Sequence, residues 1–164
     1  SYTGLRTSIT FARSLAALRV RQPELPPVTI AAVTSFELMA ASLRDAAGDL
    51  HILLDARRGR VHHGHIVVDG ERIALQRPPH AVPLPEVAHV LDQESSPRPR
   101  TVWVSASCRE TVTAQLRTGE ELTTLPADAD LLPAMSDSRI QFVDTTAAAL
   151  EPLYLMGSYA GEAG

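Results

Sequence analysis

The residues of this sequence most suited to chemistry are the histidines of the His-His-Gly-His segment at positions 62–65. If the segment is a β-strand, His63 and His65 lie on one face of it, because successive side chains of a strand point to opposite faces. Two imidazoles at this spacing can chelate zinc, although protein zinc sites use three or four ligands. We predict a surface strand with titrating histidines and no bound metal, since the sequence does not place the remaining histidines: His51, His80 and His89.

A second candidate is Cys108, the single cysteine of the chain. One cysteine excludes an intramolecular disulfide and fits a reducing, cytoplasmic location. Cys108 follows a predicted strand and precedes a predicted helix, where a helix N-terminus can lower a thiol pKa. A nucleophilic thiol also needs a positioned base. Because the sequence offers none, we interpret Cys108 as structural.

Signals for nucleotide binding are absent from the sequence. No P-loop or Gly-x-Gly-x-x-Gly motif occurs, and the turn at residues 105–109, Ser-Ala-Ser-Cys-Arg, contains no glycine. Without glycine the backbone approaches phosphates less easily, so we expect no cofactor. The acidic residues of the loop-like sequence further on are interpreted as a solvated face: Glu120, Glu121, Asp128 and Asp130.

Composition limits the partners. The chain has 164 residues, 45% of them hydrophobic, which is ordinary for a globular protein. A net charge of −4 and few aromatic residues argue against direct nucleic-acid binding by the chain alone. No apolar run approaches the roughly 18 residues of a membrane span, so we expect no membrane association.

The elements that must position these residues alternate between helical and strand patterns. Helices are predicted at residues 3–21, 34–47, 82–91, 108–116 and 145–155, and strands at 29–33, 51–55, 61–68, 71–76, 101–106 and 140–143. Thr34 and Glu37 form a capping box, and Asp69-Gly70 predicts a hairpin in which both residues tolerate positive φ. A three-strand meander followed by helix, strand and helix is the order of a ribonuclease-H-like lobe, which predicts an α/β fold with a mixed sheet.

The first helix carries two apolar stripes, whereas a helix that packs only on its own sheet needs one. The first stripe consists of Leu5, Ile9, Ala12, Ala16 and Val20. The second consists of Phe11, Leu15 and Leu18. Two stripes favour one face for the parent lobe and another for a neighbour, which is either a second lobe of the same protein or a partner.

Four segments of the chain resemble the TsaB family, also called glycoprotease-like. Residues 1–7, Ser-Tyr-Thr-Gly-Leu-Arg-Thr, resemble the end of its Gly-Pro-Gly-Ser-(Phe/Tyr)-Thr-Gly-Leu-Arg signature. Residues 33–40 are similar to Val-Ser-Ser-Leu-Glu-Ala-Leu-Ala, and residues 55–61 to Asp-Ala-Arg-x-Gly-Glu-Val. Residues 152–155, Pro-Leu-Tyr-Leu, resemble Pro-x-Tyr-Leu-Arg.

The resemblance implies an actin-like ATPase fold, truncated at its N-terminus. Residues 1–48 would be the remnant of a first lobe, residues 49–156 a second, ribonuclease-H-like lobe, and residues 157–164 a flexible tail. The family's members are non-catalytic partners of the TsaD enzyme, which makes N6-threonylcarbamoyladenosine in tRNA. The resemblance therefore implies a heterodimer with a TsaD-like subunit, and a homodimer in its absence. The partner-binding residues would lie on the first helix: Leu5, Ile9, Phe11, Ala12, Leu15, Ala16 and Leu18.

Other functions stay open at this point. One is a metal- or thiol-dependent hydrolase that uses His63, His65 or Cys108, and another is a stand-alone dimeric structural domain. Asp55 and Arg57 are predicted to be structural, at the end of the first strand of the second lobe and its turn at Gly59.

Overall fold

The computed structural model of the protein describes residues 2–21, 24, 30–43, 46–94, 100–116, 122–126 and 131–145. In chain order its elements are α1 (Tyr2–Val20), β1 (Ile30–Ala32), α2 (Ser35–Ser42), β2 (Gly48–Arg57), β3 (Arg60–Val68), β4 (Ile73–Leu75), β5 (His80–Pro83), α3 (Val87–Gln93), β6 (Arg100–Val104), α4 (Arg109–Thr113), β7 (Leu122–Thr124), α5 (Leu131–Ala134) and β8 (Val143–Thr145). Short 3₁₀ turns, Leu84–Glu86 and Ala106–Cys108, lead into α3 and α4.

These elements fall into two compact units. The first contains α1 and the antiparallel pair of β1 with β8. The second extends from Thr34 to Gln141 and contains everything between α2 and α5. The boundary between these units lies between Val33 and Thr34, whereas the predicted lobe boundary is at residue 48. Helix α2 belongs to the second unit because it packs on β3 and β4. The predicted division into lobes and tail stays a prediction.

The sheet of the second unit is mixed, as the sequence predicted. Its strand order is β4-β3-β2-β6-β7, and β5 also pairs with β3. The meander β2-β3-β4 is antiparallel, whereas β6 and β7 are parallel to β2. Together with α3 between the meander and β6, this arrangement confirms the predicted α/β class and the predicted meander followed by helix and strand.

The sheet is covered on both faces, and alternation along β2 and β3 decides which side chain belongs to which face. Leu53 and Val61 lie on the face that packs against α3 and α4. On the opposite face α2 approaches Gly64, where an added Cβ would be 2.4 Å from Phe36 Cδ1. A central strand with both faces buried explains the near-continuous apolar run of residues 50–54.

Several local predictions are confirmed. Thr34 Oγ1 accepts a hydrogen bond from the Glu37 N–H at 3.2 Å, and Glu37 Oε2 accepts one from the Thr34 N–H at 3.0 Å, so the capping box is complete. The β3–β4 hairpin also forms, but neither Asp69 nor Gly70 has a positive φ. Instead, Asp69 Oδ1 accepts the N–H groups of Glu71 and Arg72.

The β2–β3 turn, unlike the β3–β4 turn, contains residues with positive φ. Arg57, Arg58 and Gly59 have φ values of 63°, 50° and 72°. The Arg57 N–H donates to Asp55 Oδ1 at 2.7 Å, and the pairing of β2 with β3 shifts register between Asp55 and Arg57. The position agrees with the structural role predicted for Asp55 and Arg57.

Other predictions need correction. Residues 82 and 83 were predicted to begin a helix, but they belong to strand β5, because Val82 pairs with Val61 and the helix begins only after the prolines. The second helix ends at Ser42 and not at residue 47; there Ser42 Oγ donates to the Met39 carbonyl. The predicted strand 29–33 forms as β1 but is not buried, since Ile30 and Ala32 are half-buried and Ala31 is exposed.

Strand β7 and helix α5 were not predicted, and the last strand begins at Val143 and not at residue 140. Ile140 itself makes an isolated parallel bridge to Ile73. Thr145 belongs to this last strand, and residues 146–155 of the predicted final helix lie outside the described residues, with the family segment at 152–155 and the predicted tail. The acidic residues predicted as a solvated face lie outside them too: Glu120, Glu121, Asp128 and Asp130.

Candidate functional site

Buried histidines from two adjacent strands meet a carboxylate at the end of α3. The β2–β3 register places His51 directly opposite His65, and His63 opposite Leu53 on the same face of the sheet. Glu94, the C-cap residue of α3, reaches over this face. We call the four residues the histidine cluster: His51, His63, His65 and Glu94.

The cluster is held together at short distances. His51 Nδ1 lies 3.0 Å from His63 Nε2, and the two rings are nearly coplanar at an interplanar angle of 5°. Glu94 Oε2 lies 3.7 Å from His63 Nδ1 and 3.6 Å from His65 Nδ1. The other oxygen of Glu94 pairs with Arg77 Nη2 at 2.5 Å. On the far side, His65 Nε2 lies 3.8 Å from Asp49 Oδ1.

Burial decides the protonation of the cluster. His51 is 0% exposed and His63 is 1% exposed. Burial, and after it the electrostatic effect of neighbouring groups such as His65 and Arg100, lowers the pKa of His51 to about 4. Burial likewise lowers the pKa of His63 to about 3, with His51 as the next cause. Both imidazoles are therefore neutral at physiological pH and carry a nitrogen lone pair.

Polar atoms of the cluster are left without hydrogen bonds. Within the described residues no partner exists for four buried atoms of the cluster, or for the neighbouring Asp49 Oδ2; the four are His51 Nε2, His63 Nδ1, His65 Nε2 and Glu94 Oε2. Buried side-chain polar atoms in native proteins usually have a partner. This concentration of unpaired atoms distinguishes the cluster from an ordinary apolar core.

The predicted surface strand is therefore wrong, because β3 lies between β2 on one side and β4 and β5 on the other. His63 and His65 do share a face, as predicted, but that face is buried. Sequence reasoning missed His51 and Glu94. His51 could have been found from the sequence, because it lies two positions before Leu53 in an apolar strand and so shares its face. Glu94 could not, because it begins a stretch rich in Ser and Pro that is typical of a loop.

Cys108 lies apart from this cluster and is not activated. The thiol is buried, and burial raises its pKa in spite of a contact of 3.1 Å with Ser105 Oγ. The glycine-free turn is bound to β2, because the Ser105 N–H donates to the Leu53 carbonyl and the Asp55 N–H donates to Ser105 Oγ. These contacts favour a structural turn.

Helix α1 presents the predicted second stripe to solvent. Phe11 is 64% exposed, Leu15 43% and Leu18 54%. We call these three residues the α1 surface. From the first stripe, Ile9, Ala12 and Ala16 are half-buried, whereas the side chain of Leu5 is outside the described set. Within the part of the chain that the structure describes, no helix is long and apolar enough to cross a membrane.

The two units together define a mixed α/β protein whose solved structural neighbours are YeaZ-type proteins. One is an uncharacterized protein with similarity to peptidase YeaZ from Pseudomonas aeruginosa, with a TM-score of 0.58 and 20% identity over 95% of this chain and 69% of that one. Another is YeaZ from Pseudomonas aeruginosa, with a TM-score of 0.58 and 18% identity over 94% of this chain and 68% of that one. At this identity the likeness establishes the fold. No family model and no curated protein matches the sequence.

Proposed function

We propose that this chain is a TsaB-type subunit that binds a TsaD-type enzyme and supports it during threonylcarbamoylation of tRNA, without catalysing the step. The observation that carries the proposal is the likeness to YeaZ, another name for TsaB-type proteins, over nearly the whole chain. The mixed sheet order fits the actin-like, ribonuclease-H-type fold that this family implies.

Two of the family-like segments occupy structurally demanding positions, which supports the proposal. The segment at 33–40 supplies the capping box of α2. The segment at 55–61 supplies the left-handed turn between β2 and β3. Both are places where the residue types are dictated by backbone geometry, so a shared fold accounts for the resemblance.

The α1 surface is the proposed contact with the enzyme. Its three large apolar side chains are exposed on consecutive turns of one helix, and fully burying each is worth roughly 1.5–3 kcal/mol. An apolar helix face of this kind suits another protein better than the anionic backbone of tRNA. Direct nucleic-acid binding by the chain alone is not part of the proposal.

Co-purification with a TsaD-type enzyme tests this proposal. Leu15→Asp should abolish capture of the enzyme, because it places a charge in the centre of the α1 surface. Ala17→Asp is the matched control, since Ala17 is an exposed apolar residue of the same helix outside that surface. Equal capture by both variants, or none by the unaltered chain, would contradict the proposal.

A hydrolase is less well supported by the geometry. Cys108 and His63 are buried, and a substrate would have to reach them through the core. In the proposed function the chain carries no nucleotide, acts in the cytoplasm and forms a homodimer when the enzyme is absent. We expect no measurable ATP binding by isothermal titration calorimetry; a micromolar dissociation constant would overturn this part.

A further inference from the structure

We propose that the histidine cluster is a binding site for a divalent transition-metal ion of the zinc type, with His51, His63 and Glu94 as ligands. The site is separate from the α1 surface and does not depend on the proposed function. Every ligand belongs to the second unit, at the junction of β2, β3 and the end of α3.

The spacing of the donor atoms suits a shared ion. One ligand atom from each of His51, His63 and Glu94 lies within 4.8 Å of the other two. Donors about 2.0–2.1 Å from a tetrahedral zinc ion lie roughly 3.3 Å from one another. His51 Nδ1 and His63 Nε2, 3.0 Å apart, are close to this spacing, and Glu94 Oε2 approaches the His63 ring on its other side, 3.7 Å from Nδ1.

The type of donor selects the class of ion. Neutral imidazole nitrogens with one carboxylate oxygen are ligands for zinc and other first-row transition metals, whereas magnesium and calcium prefer oxygen donors. Asp49 and Glu94 supply two carboxylates to the surroundings, and Arg77 and Arg100 supply two guanidinium groups.

The surroundings also orient the proposed ligands. Arg77 binds Glu94 Oε1 and leaves Oε2 directed toward the histidines. Asp49 Oδ1 lies beside His65 Nε2 while His65 Nδ1 faces Glu94. The ion would enter beside Arg77, whose side chain is half-exposed.

A metal ion accounts for what a purely hydrogen-bonded cluster leaves unexplained. Only one hydrogen bond joins the buried histidines, between His51 and His63. The 3.0 Å contact sets His51 Nδ1 and His63 Nε2 at nearly the spacing of two donors on one ion, and Glu94 Oε2 has no hydrogen-bond partner within the described residues.

Cobalt titration of the tag-free, chelator-treated full chain tests the site. We expect one equivalent of Co²⁺ to bind, with the visible absorption of a four-coordinate nitrogen and oxygen site, and excess Zn²⁺ to displace it. Affinity should fall more than about 100-fold in His63→Leu, since loss of an outer-shell partner alone costs about 10–100-fold. His89→Ala, an exposed histidine of α3, is the control and should bind normally.

Two results would overturn the proposal. One is the absence of a stoichiometric cobalt spectrum in the unaltered chain, which decides the matter even if a variant fails to fold. The other is binding of unchanged affinity in both His63→Leu and Glu94→Gln, with folding of each checked by circular dichroism.

Discussion

Glycine at position 64 is dictated by the packing of the sheet against α2. A Cβ at this position would lie 2.4 Å from Phe36 Cδ1 and less than 3 Å from two further atoms of the same ring. Phe36 is itself buried, so the ring has little room to move. A single methyl group therefore has a measurable consequence here, although the backbone of residue 64 needs no special φ.

Gly64→Ala should lower the free energy of unfolding by about 1–3 kcal/mol, the usual cost of overpacking a core. Urea denaturation measures it. Gly70→Ala is the matched control, because a Cβ there would have no neighbour within 4 Å. Adding Phe36→Leu to Gly64→Ala should recover part of the loss; a Gly64→Ala variant as stable as the control would show that the ring moves freely.

Asp137 gives a pH-dependent prediction at the same scale. Its carboxylate binds the Arg139 guanidinium through both oxygens, at 3.0 Å to Nε and 2.7 Å to Nη2, and these bonds lower its pKa. The stability it contributes is therefore present above its unfolded pKa near 3.8 and is lost as pH falls through the lower folded value.

Asp137→Asn should cost up to about 1 kcal/mol at neutral pH, as a partly exposed ion pair does. The difference from the unaltered chain should shrink toward zero as the pH falls below 4. Thermal unfolding at several pH values measures it. A difference that stays constant down to low pH would assign the effect to hydrogen-bond geometry and not to charge.

At the scale of elements, the turn of the β2–β3 hairpin is stabilised by a side-chain hydrogen bond. Asp55 Oδ1 accepts the Arg57 N–H beside a register shift in the strand pair. The two arginines that follow have positive φ, which is uncommon for residues other than glycine. The side chain of Asp55 thus fixes the backbone just before the turn.

Asp55→Ala should lower the melting temperature, by an amount equivalent to about 1 kcal/mol for a lost hydrogen bond. Asp55→Asn should lower it less, because the amide retains an acceptor oxygen. Differential scanning calorimetry provides the comparison. Normal stability of both variants with loss of enzyme capture would instead assign Asp55 a functional role.

The features predicted correctly from the sequence depend on residues close together in the chain, and those missed depend on residues far apart in it. The capping box of α2 and the long strands β2 and β3 depend on neighbouring residues and were predicted correctly. Strand β5 was missed because its pairing with β3 is a tertiary contact, which overrides the local pattern around Pro83 and Pro85. The histidine cluster needed the β2–β3 register and the position of the α3 C-terminus, neither of which the sequence fixes.

At the scale of the whole molecule, the α1 surface should drive self-association in the absence of another partner. Its three large apolar side chains are exposed on one helix, and two-fold pairing is the commonest arrangement of identical subunits. The double variant Ile9→Asp, Leu15→Asp should then be monomeric or insoluble, whereas Ala17→Asp should leave the dimer intact. Sedimentation equilibrium at high concentration measures both. An unaltered chain that stays monomeric would remove α1 as an interaction surface.

The parallel pairing of β2 with β6 has a consequence for how the chain folds. Asp49 pairs with Arg100, roughly 50 residues further along, so this contact must overcome a larger loop-closure entropy than the hairpins do. During synthesis the meander β2-β3-β4 can pair early, whereas the other edge of β2 stays unpaired until β6 emerges from the ribosome. That edge borders the apolar run of residues 50–54, and an unpaired apolar edge is prone to aggregation. The yield of folded protein should therefore depend on how soon β6 is translated and pairs with β2.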